Sequence, residues 1–467
     1  MLKQQMEKED LSCLPTLHLN EIDRKIKEEK VGTVKCGEVP VQICEQPTNG
    51  VTYLNMVSNM AKVPKGLKQY IPLFCEVITK MGAGSFDYKE LSQQIELTTS
   101  GLGAGTHVTQ HPSDNYSYEQ GIQFSSYCLD RNIDKMLDLW SNIFSSPMLN
   151  DEGRLMTLIK MEAANLAASI SGQGHSYAMS HARSRLNGAA ALEEILGGMT
   201  QVATMKRLAE GDEEAMGVVV QNLQRIANIV LNKNNIRFAI NSTPDQISTN
   251  QNKVDTFIQG LPGGVQSSEI FTQFGYFAPE EAKTQFELPF SVNYMSKAVE
   301  TVPYMHEDFP VLRVLSRLMT ANYLHREIRE KGGAYGSGAV SSSGVFSFFS
   351  YRDPNSDKTL QVFDEAVKWI IDNKFSSEDV DGAKLAIFQQ TDKPVTPGAA
   401  GMTVFLSGVS DEMRQTMRDR LFQVSRQNLV EVAQRYLTGE RPQAVSFIGP
   451  EHSTVKSDSS WNIVKEN

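Results

Sequence analysis

The sequence predicts an α/β fold in α+β layers, built as two duplicated domains. Three observations carry this. Strand-type runs alternate with stretches of helical period, which implies sheets covered by helices. The order strand, helix bearing Trp, Phe-Ser-Ser and second helix occurs twice: at 121–127, Trp140 and Phe144-Ser145-Ser146, then at 345–351, Trp369 and Phe375-Ser376-Ser377. A length of 467 residues is enough for two domains or more, each with a sizeable core.

Taken in order, residues 1–34 are dense in Lys and Glu and read as a helical arm or connector. The first domain spans 35–260. Its strands fall at 39–46 and 51–58, separated by the turn Pro47-Thr48-Asn49-Gly50. A helix follows at 65–80 and stops near Gly82; another begins near Tyr88. Residues 95–99 and 121–127 read as strands, 133–144 and 151–169 as helices, 189–230 as largely helical and 236–241 as a strand. Residues 261–287, opening with Leu261-Pro262-Gly263-Gly264, read as a linker. The second domain, 288–467, opens with a strand at 291–302.

The stretch 306–351 is the most informative. It begins as an amphipathic helix, with Asp308 available as N-cap and Pro310 in the first turn, where its missing N–H costs nothing. Val311, Leu315, Leu318 and Asn322 share one face. Gly332 and Gly333 stop the helix, and Ala334-Tyr335-Gly336 opens a strand continuing to Tyr351. Arg329 and Tyr335 therefore meet at one helix–strand junction. A guanidinium fork and a phenol donor at that place could grip peptide carbonyls. The same residues also satisfy ordinary structural needs: a basic group in a last helical turn suits the dipole, and Tyr suits a strand.

EIREKGGAYG, with Arg329 and Tyr335 six apart, resembles the arginine–tyrosine motif in the C-terminal half of the presequence-degrading members of the pitrilysin/insulinase-type zinc metallopeptidases. GEVPVQICEQPTNG, YEQGIQFSSYCLDRN, FSYRDPN and SGVSDEM resemble the same half, so the similarity runs through nearly the whole chain. The resemblance implies two pitrilysin-like domains, each a mixed sheet packed with helices. It implies unstructured peptides, such as cleaved targeting sequences, as substrates in the mitochondrial matrix. It also implies an N-terminal catalytic half as partner, holding the zinc. In this chain Tyr335 and Arg329 would contact substrate and transition state, while the chain closes the chamber.

That family binds zinc through H-x-x-E-H on a helix, two His as ligands and the Glu as base. None of the eight His of this chain lies in such a motif. If Gly82 sets the register, Leu73, Glu76 and Val77 stand at its positions, and neither Leu nor Val can bind zinc. His107 and His111 follow GLGAG, which reads as loop, and so are not held on one helical face. His175 and His181 read as surface residues in or beside a Gly/Ser-rich stretch. The sequence thus assigns no metal and no cofactor to this chain, which alone is expected to be inactive. A rival reading is a non-catalytic structural or peptide-binding subunit, to which the absent motif points and the intact Arg329/Tyr335 pair does not. A nucleotide-dependent enzyme is opposed by the glycine runs, because neither stands between a strand and a helix N-terminus.

Composition agrees with a globular chain: 40% hydrophobic, 21% charged. The net charge of −10 and the lack of a basic–aromatic stripe argue against nucleic acid. No apolar run approaches the ~18 residues of a membrane-spanning helix. Five cysteines without CxxC spacing read as reduced thiols of an intracellular protein. MLKQQMEKEDLSCLP carries Glu7, Glu9 and Asp10 and no Arg, so it does not read as a transit peptide.

Overall fold

The computed structural model describes residues 17–264, 270–273, 277–342 and 344–465. In chain order the strands are β1 Gly32–Cys36, β2 Val39–Glu45, β3 Val51–Asn59, β4 Gly82–Ala83, β5 Leu102–Gln110, β6 Ser117–Leu129, β7 Pro147–Met148, β8 Ile236–Ser242 and β9 Thr272–Gln273, then β10 Ala282–Glu287, β11 Asn293–Glu300, β12 Gly336–Ser342, β13 Val345–Asp353, β14 Gln443–Gly449 and β15 Trp461–Lys465. The first sheet runs β1-β2-β8-β3-β6-β5, with β9 added to β6. The second runs β12-β13-β11-β14-β10-β15. β4 and β7 pair separately.

The two large sheets repeat one topology. In each, an antiparallel hairpin (β5–β6, β12–β13) pairs antiparallel with a middle strand (β3, β11). That strand pairs antiparallel with the next (β8, β14), which then takes a parallel neighbour (β2, β10). Only the last strand differs: β1 is antiparallel to β2, whereas β15 is parallel to β10. Trp140 and Trp369 lie in the helices that follow the two hairpins, Ile133–Ser145 and Asp357–Ile371. Phe144 lies inside its helix, but Phe375 lies just beyond its own, ahead of the N-cap Ser376. Trp140 is fully buried and its indole donates to Ser126 Oγ at 2.9 Å. Truncating such a side chain typically costs about 3–5 kcal/mol.

Several local expectations are corrected. Residues 95–99 finish the helix Tyr88–Thr98 and are not a strand; Asp87 and Glu90 form a capping box that fixes its start. The GLGAG run is largely strand, within β5. Residues 336–351 form a hairpin, β12 and β13, turned with Gly344 at φ +74°, and not one strand. β10 falls inside the stretch read as linker. Of the arm, residues 1–16 lie outside the described residues, and 17–34 hold one 3-10 turn and the start of β1. This segment is extended because the helix Asp411–Gln423 satisfies its backbone: Gln415 accepts from Ile26 N, Asp411 accepts from Glu29 N, and Arg418 donates to the Asp23 carbonyl. Cys36, Cys44, Cys75 and Cys128 are buried free thiols; Cys13 lies outside the described residues.

The helix Glu152–Ser184 ties the two sheets together. It leaves the first sheet's core and lies across β11, β13 and β14. Its residues Ile170, Tyr177 and Ala178 share one apolar cluster with Phe286, Tyr294 and Ile448. It kinks at Gln173 (φ −129°, ψ 22°) between two glycines, where the Tyr294 hydroxyl donates to the Ser171 carbonyl at 2.5 Å. A second tie comes from Arg237 on β8. Buried Glu119 accepts two hydrogen bonds from it, and Arg237 also donates to the Phe405 carbonyl at 2.8 Å. No helix among the described residues is long and apolar enough to cross a membrane.

Candidate functional site

Phe309–Met319 is an α-helix with Pro310 in its first turn, and it buries Val311, Leu315 and Leu318 as expected. Asp308 precedes it but does not cap it. Its carboxylate instead accepts from the Tyr436 hydroxyl at 2.8 Å and from Arg435. Burial and that bond push the Tyr436 phenol up to about 12. The helix then widens. Thr320–Glu330 is a π-helix, in which amide and carbonyl five apart pair, as Lys331 N with Arg326 O at 3.0 Å. Two strand hydrogen bonds hold it: Ala339 N donates to Thr320 Oγ1 at 2.8 Å, and Ser337 Oγ to the Leu324 carbonyl at 3.1 Å.

Both glycines at its end are required. A Cβ on Gly332 would lie 2.5 Å from the Ile328 carbonyl oxygen. Gly333 has φ +81°, and its amide donates to the Arg329 carbonyl while Ala334 N reaches back to Ile328 O. The chain therefore reverses within two residues and delivers Tyr335 to the mouth of β12.

Arg329 and Tyr335 border one open cavity of about 710 Å³, together with His325, Glu330, Gly333, Ala334 and Arg352. Tyr335 is 71% exposed, and its ring stands edge-on to Tyr351 at 5.7 Å between centroids. His325, Arg329 and Glu330 share this wall because residues four and five apart fall on one side of a π-helix. Neither guanidinium, Arg329 or Arg352, nor the His325 ring makes an ion pair among the described residues. Glu327 does, with Arg326 and Lys331. Sequence reasoning missed His325 and Arg352. His325 is legible in principle, four residues before Arg329; Arg352 lies in the FSYRDPN stretch, where no local signal marks it.

The helix Ile71–Val77 does not suit a metal. Leu73 and Val77 are fully buried in the first core, and Glu76 is paired with Lys80. His107 lies on β5, where its Nε2 is 3.0 Å from Glu119 Oε2. His111 packs against Phe271, so the two rings serve different partners. Among the described residues no three His, Cys, Asp or Glu side chains group as a metal would need. His181 is buried against Glu194 and Phe286, not on the surface. His175 is half-buried between Phe349 and Tyr351, and burial lowers its pKa.

Residues 1–208 match the family model of the associated domain of M16 peptidases, subgroup C, and residues 283–444 match the PreP C-terminal domain. The chain is 42% identical over 491 aligned positions to the mitochondrial presequence protease of Xenopus tropicalis, covering 99% of this chain and 48% of that protein. It is 34% identical to the one of Schizosaccharomyces pombe, covering 100% and 47%. It thus spans about half the length of the curated relatives it matches. Among solved structures, an inactive peptidase M16 domain from Pseudomonas fluorescens superposes with TM-score 0.63 at 14% identity, over 91% of this chain and 98% of its own. A protease from Helicobacter pylori gives 0.65 at 13%, over 91% and 100%. These two likenesses concern the fold.

Proposed function

The chain belongs to subgroup C of the M16, or pitrilysin-type, peptidases, and from that membership we propose that it is the non-zinc-binding, C-terminal half of a presequence-protease-like metalloendopeptidase. Its substrates on this reading are unstructured peptides, cleaved targeting sequences among them, in the mitochondrial matrix. The half that carries H-x-x-E-H supplies the zinc chemistry. This chain closes the chamber over the peptide and presents Arg329 and Tyr335.

The observation that carries the reading is the convergence of those two side chains on one open cavity. Arg329 has no ion pair to give up among the described residues, and the Tyr335 phenol is solvent-facing on a backbone fixed by Gly332 and Gly333. The Tyr335 hydroxyl donates a hydrogen bond to a peptide carbonyl oxygen as charge grows there, with little reorganisation. Arg329 grips a backbone carbonyl or a carboxylate with its fork of donors.

A second reading, a non-catalytic structural or peptide-binding subunit, draws on Leu73 and Val77 in the helix Ile71–Val77. Mixing the purified chain with the H-x-x-E-H half separates the two. Chelator-sensitive cleavage of an unstructured peptide should appear only in the mixture, and elemental analysis should find zinc only in the other half. A mixture that binds peptide without cutting it would favour the subunit reading.

A further inference from the structure

The β11–β13 ladder of the second sheet carries an irregularity that its duplicate lacks. Asn293 pairs with Asp353 and Met295 with Ser350, so Tyr294 alone faces two residues, Tyr351 and Arg352. The amide of Tyr335 spans the same fault, donating to both the Tyr351 carbonyl (3.1 Å) and the Arg352 carbonyl (3.3 Å). This is a β-bulge, and its extra residue, Arg352, adopts φ +47°, a region that side chains other than Gly, Asn and Asp rarely enter. In the first sheet the equivalent ladder, β3 with β6, runs unbroken from Val51↔Leu129 to Asn59↔Gly121. The fold therefore does not require the bulge. Strain kept where the fold does not need it points to use.

The use follows from where the bulge aims the side chain. Arg352 borders the cavity with Arg329, His325 and Tyr335. Its guanidinium lies 5.5 Å from the Tyr351 ring centre. It also approaches the Tyr294 hydroxyl and favours that phenol's charged form, although burial outweighs this and raises the phenol's pKa. Neighbouring carboxylates do not neutralise it. Asp353 is buried, and its oxygens accept from Asn355 N and Thr359 Oγ1. Glu330 is the single acidic side chain on the cavity wall. In a chain of net charge −10, two guanidinium groups and an imidazole that make no ion pair among the described residues thus meet at one opening.

We propose that Arg352 is a third peptide-contact residue, and that with Arg329 and His325 it forms a subsite for a carboxylate beside Tyr335. Two guanidinium forks and a phenol match the acceptor geometry of that group. The carboxylate is either the peptide's C-terminus or an Asp or Glu side chain. This inference rests on the cavity being a peptide site.

The test uses the full chain and one unstructured peptide in four forms: free or amidated at its C-terminus, with an internal Asp or Asn. Fluorescence anisotropy should show one of the two replacements weakening binding about tenfold, and which one does so identifies the source. Arg352→Gly deletes the guanidinium while suiting a positive φ. That variant should melt no lower than the parent, keep binding the neutral peptides and lose the discrimination. Arg352→Lys should keep part of it. Equal binding of all four forms, or discrimination that survives Arg352→Gly, overturns the carboxylate subsite while leaving the cavity a peptide site. A chain that binds none of the four overturns both.

Discussion

The ring of Tyr294 fills the space in which Gly174 would carry a side chain: a Cβ there would lie 2.4 Å from the ring's Cγ. The kink of the long helix and the position of β11 are thus one feature. Gly174→Ala should destabilise the chain by about 1–3 kcal/mol, the usual cost of overpacking. Tyr294→Phe, which loses the bond to Ser171 and the approach of Arg352 to the hydroxyl, should cost about 1 kcal/mol. Denaturant unfolding of the two variants measures both.

Arg237 and Glu119 form the buried tie between the first sheet and the Phe405 carbonyl. Arg237→Ala should cost about 3–5 kcal/mol, because it removes both guanidinium hydrogen bonds from a carboxylate that is 1% exposed and leaves it only His107. Glu119→Leu combined with Arg237→Leu should cost much less than the two single changes added, since no charge is left alone. Chemical denaturation of the three variants tests this.

The pH dependence of stability has two windows. Burial lowers the His175 pKa from 6.5, so the unfolded chain binds its proton first. Stability is full above pH 6.5 and should fall as pH drops below it; His175→Gln should flatten that slope. Burial raises the Glu119 carboxyl, but hydrogen bonds from His107 and Arg237 outweigh it and hold the pKa below 4.5. Its contribution is present above pH 4.5 and is lost as pH falls through the lowered value. Melting temperatures from pH 7.5 to 3.5, for the parent and His175→Gln, resolve the windows.

In the enzyme reconstituted from both halves, Tyr335→Phe keeps the ring and loses one donor. Its kcat should fall by ~10²–10³ with KM little changed. Arg329→Ala should weaken binding by about 1.5–3 kcal/mol, the range for hydrogen bonds to charged groups. If both residues only finish a helix and start a strand, kcat will hold in Tyr335→Phe, and Arg329→Ala will lower the melting temperature without altering KM.

The sequence made the Arg329–Tyr335 junction legible because its cause is local: two glycines, a helix before them and β-type residues after. The alternation of strands and helices was legible for the same reason. What it hid depends on partners far along the chain. Residues 95–99 have β-type composition, but the capping box of Asp87 and Glu90 starts a helix that runs through them. GLGAG has the composition of a loop and becomes strand because β6 supplies a full ladder. Arg352 gives no local sign, since a bulge is a relation between two strands and only the register of β11 against β13 reveals it. Asp308 holds the right position for a cap, but Tyr436 and Arg435 claim its carboxylate.

The long helix Glu152–Ser184 has a consequence for synthesis. Its apolar side, with Ile170, Tyr177, Ala178 and Ala182, finishes packing only on Tyr294, Ala298, Val345, Ala444 and Ile448. At the pace of translation those last partners leave the ribosome on the order of tens of seconds after Ser184. For that interval the nascent chain carries a finished helix with no sheet beneath it. The stripe must be sheltered, by a chaperone or by the helices Gly188–Gly197 and Met199–Ala209 that emerge next. A pause or truncation before β14 would release a chain whose first core is complete but whose long helix still lacks Ala444 and Ile448.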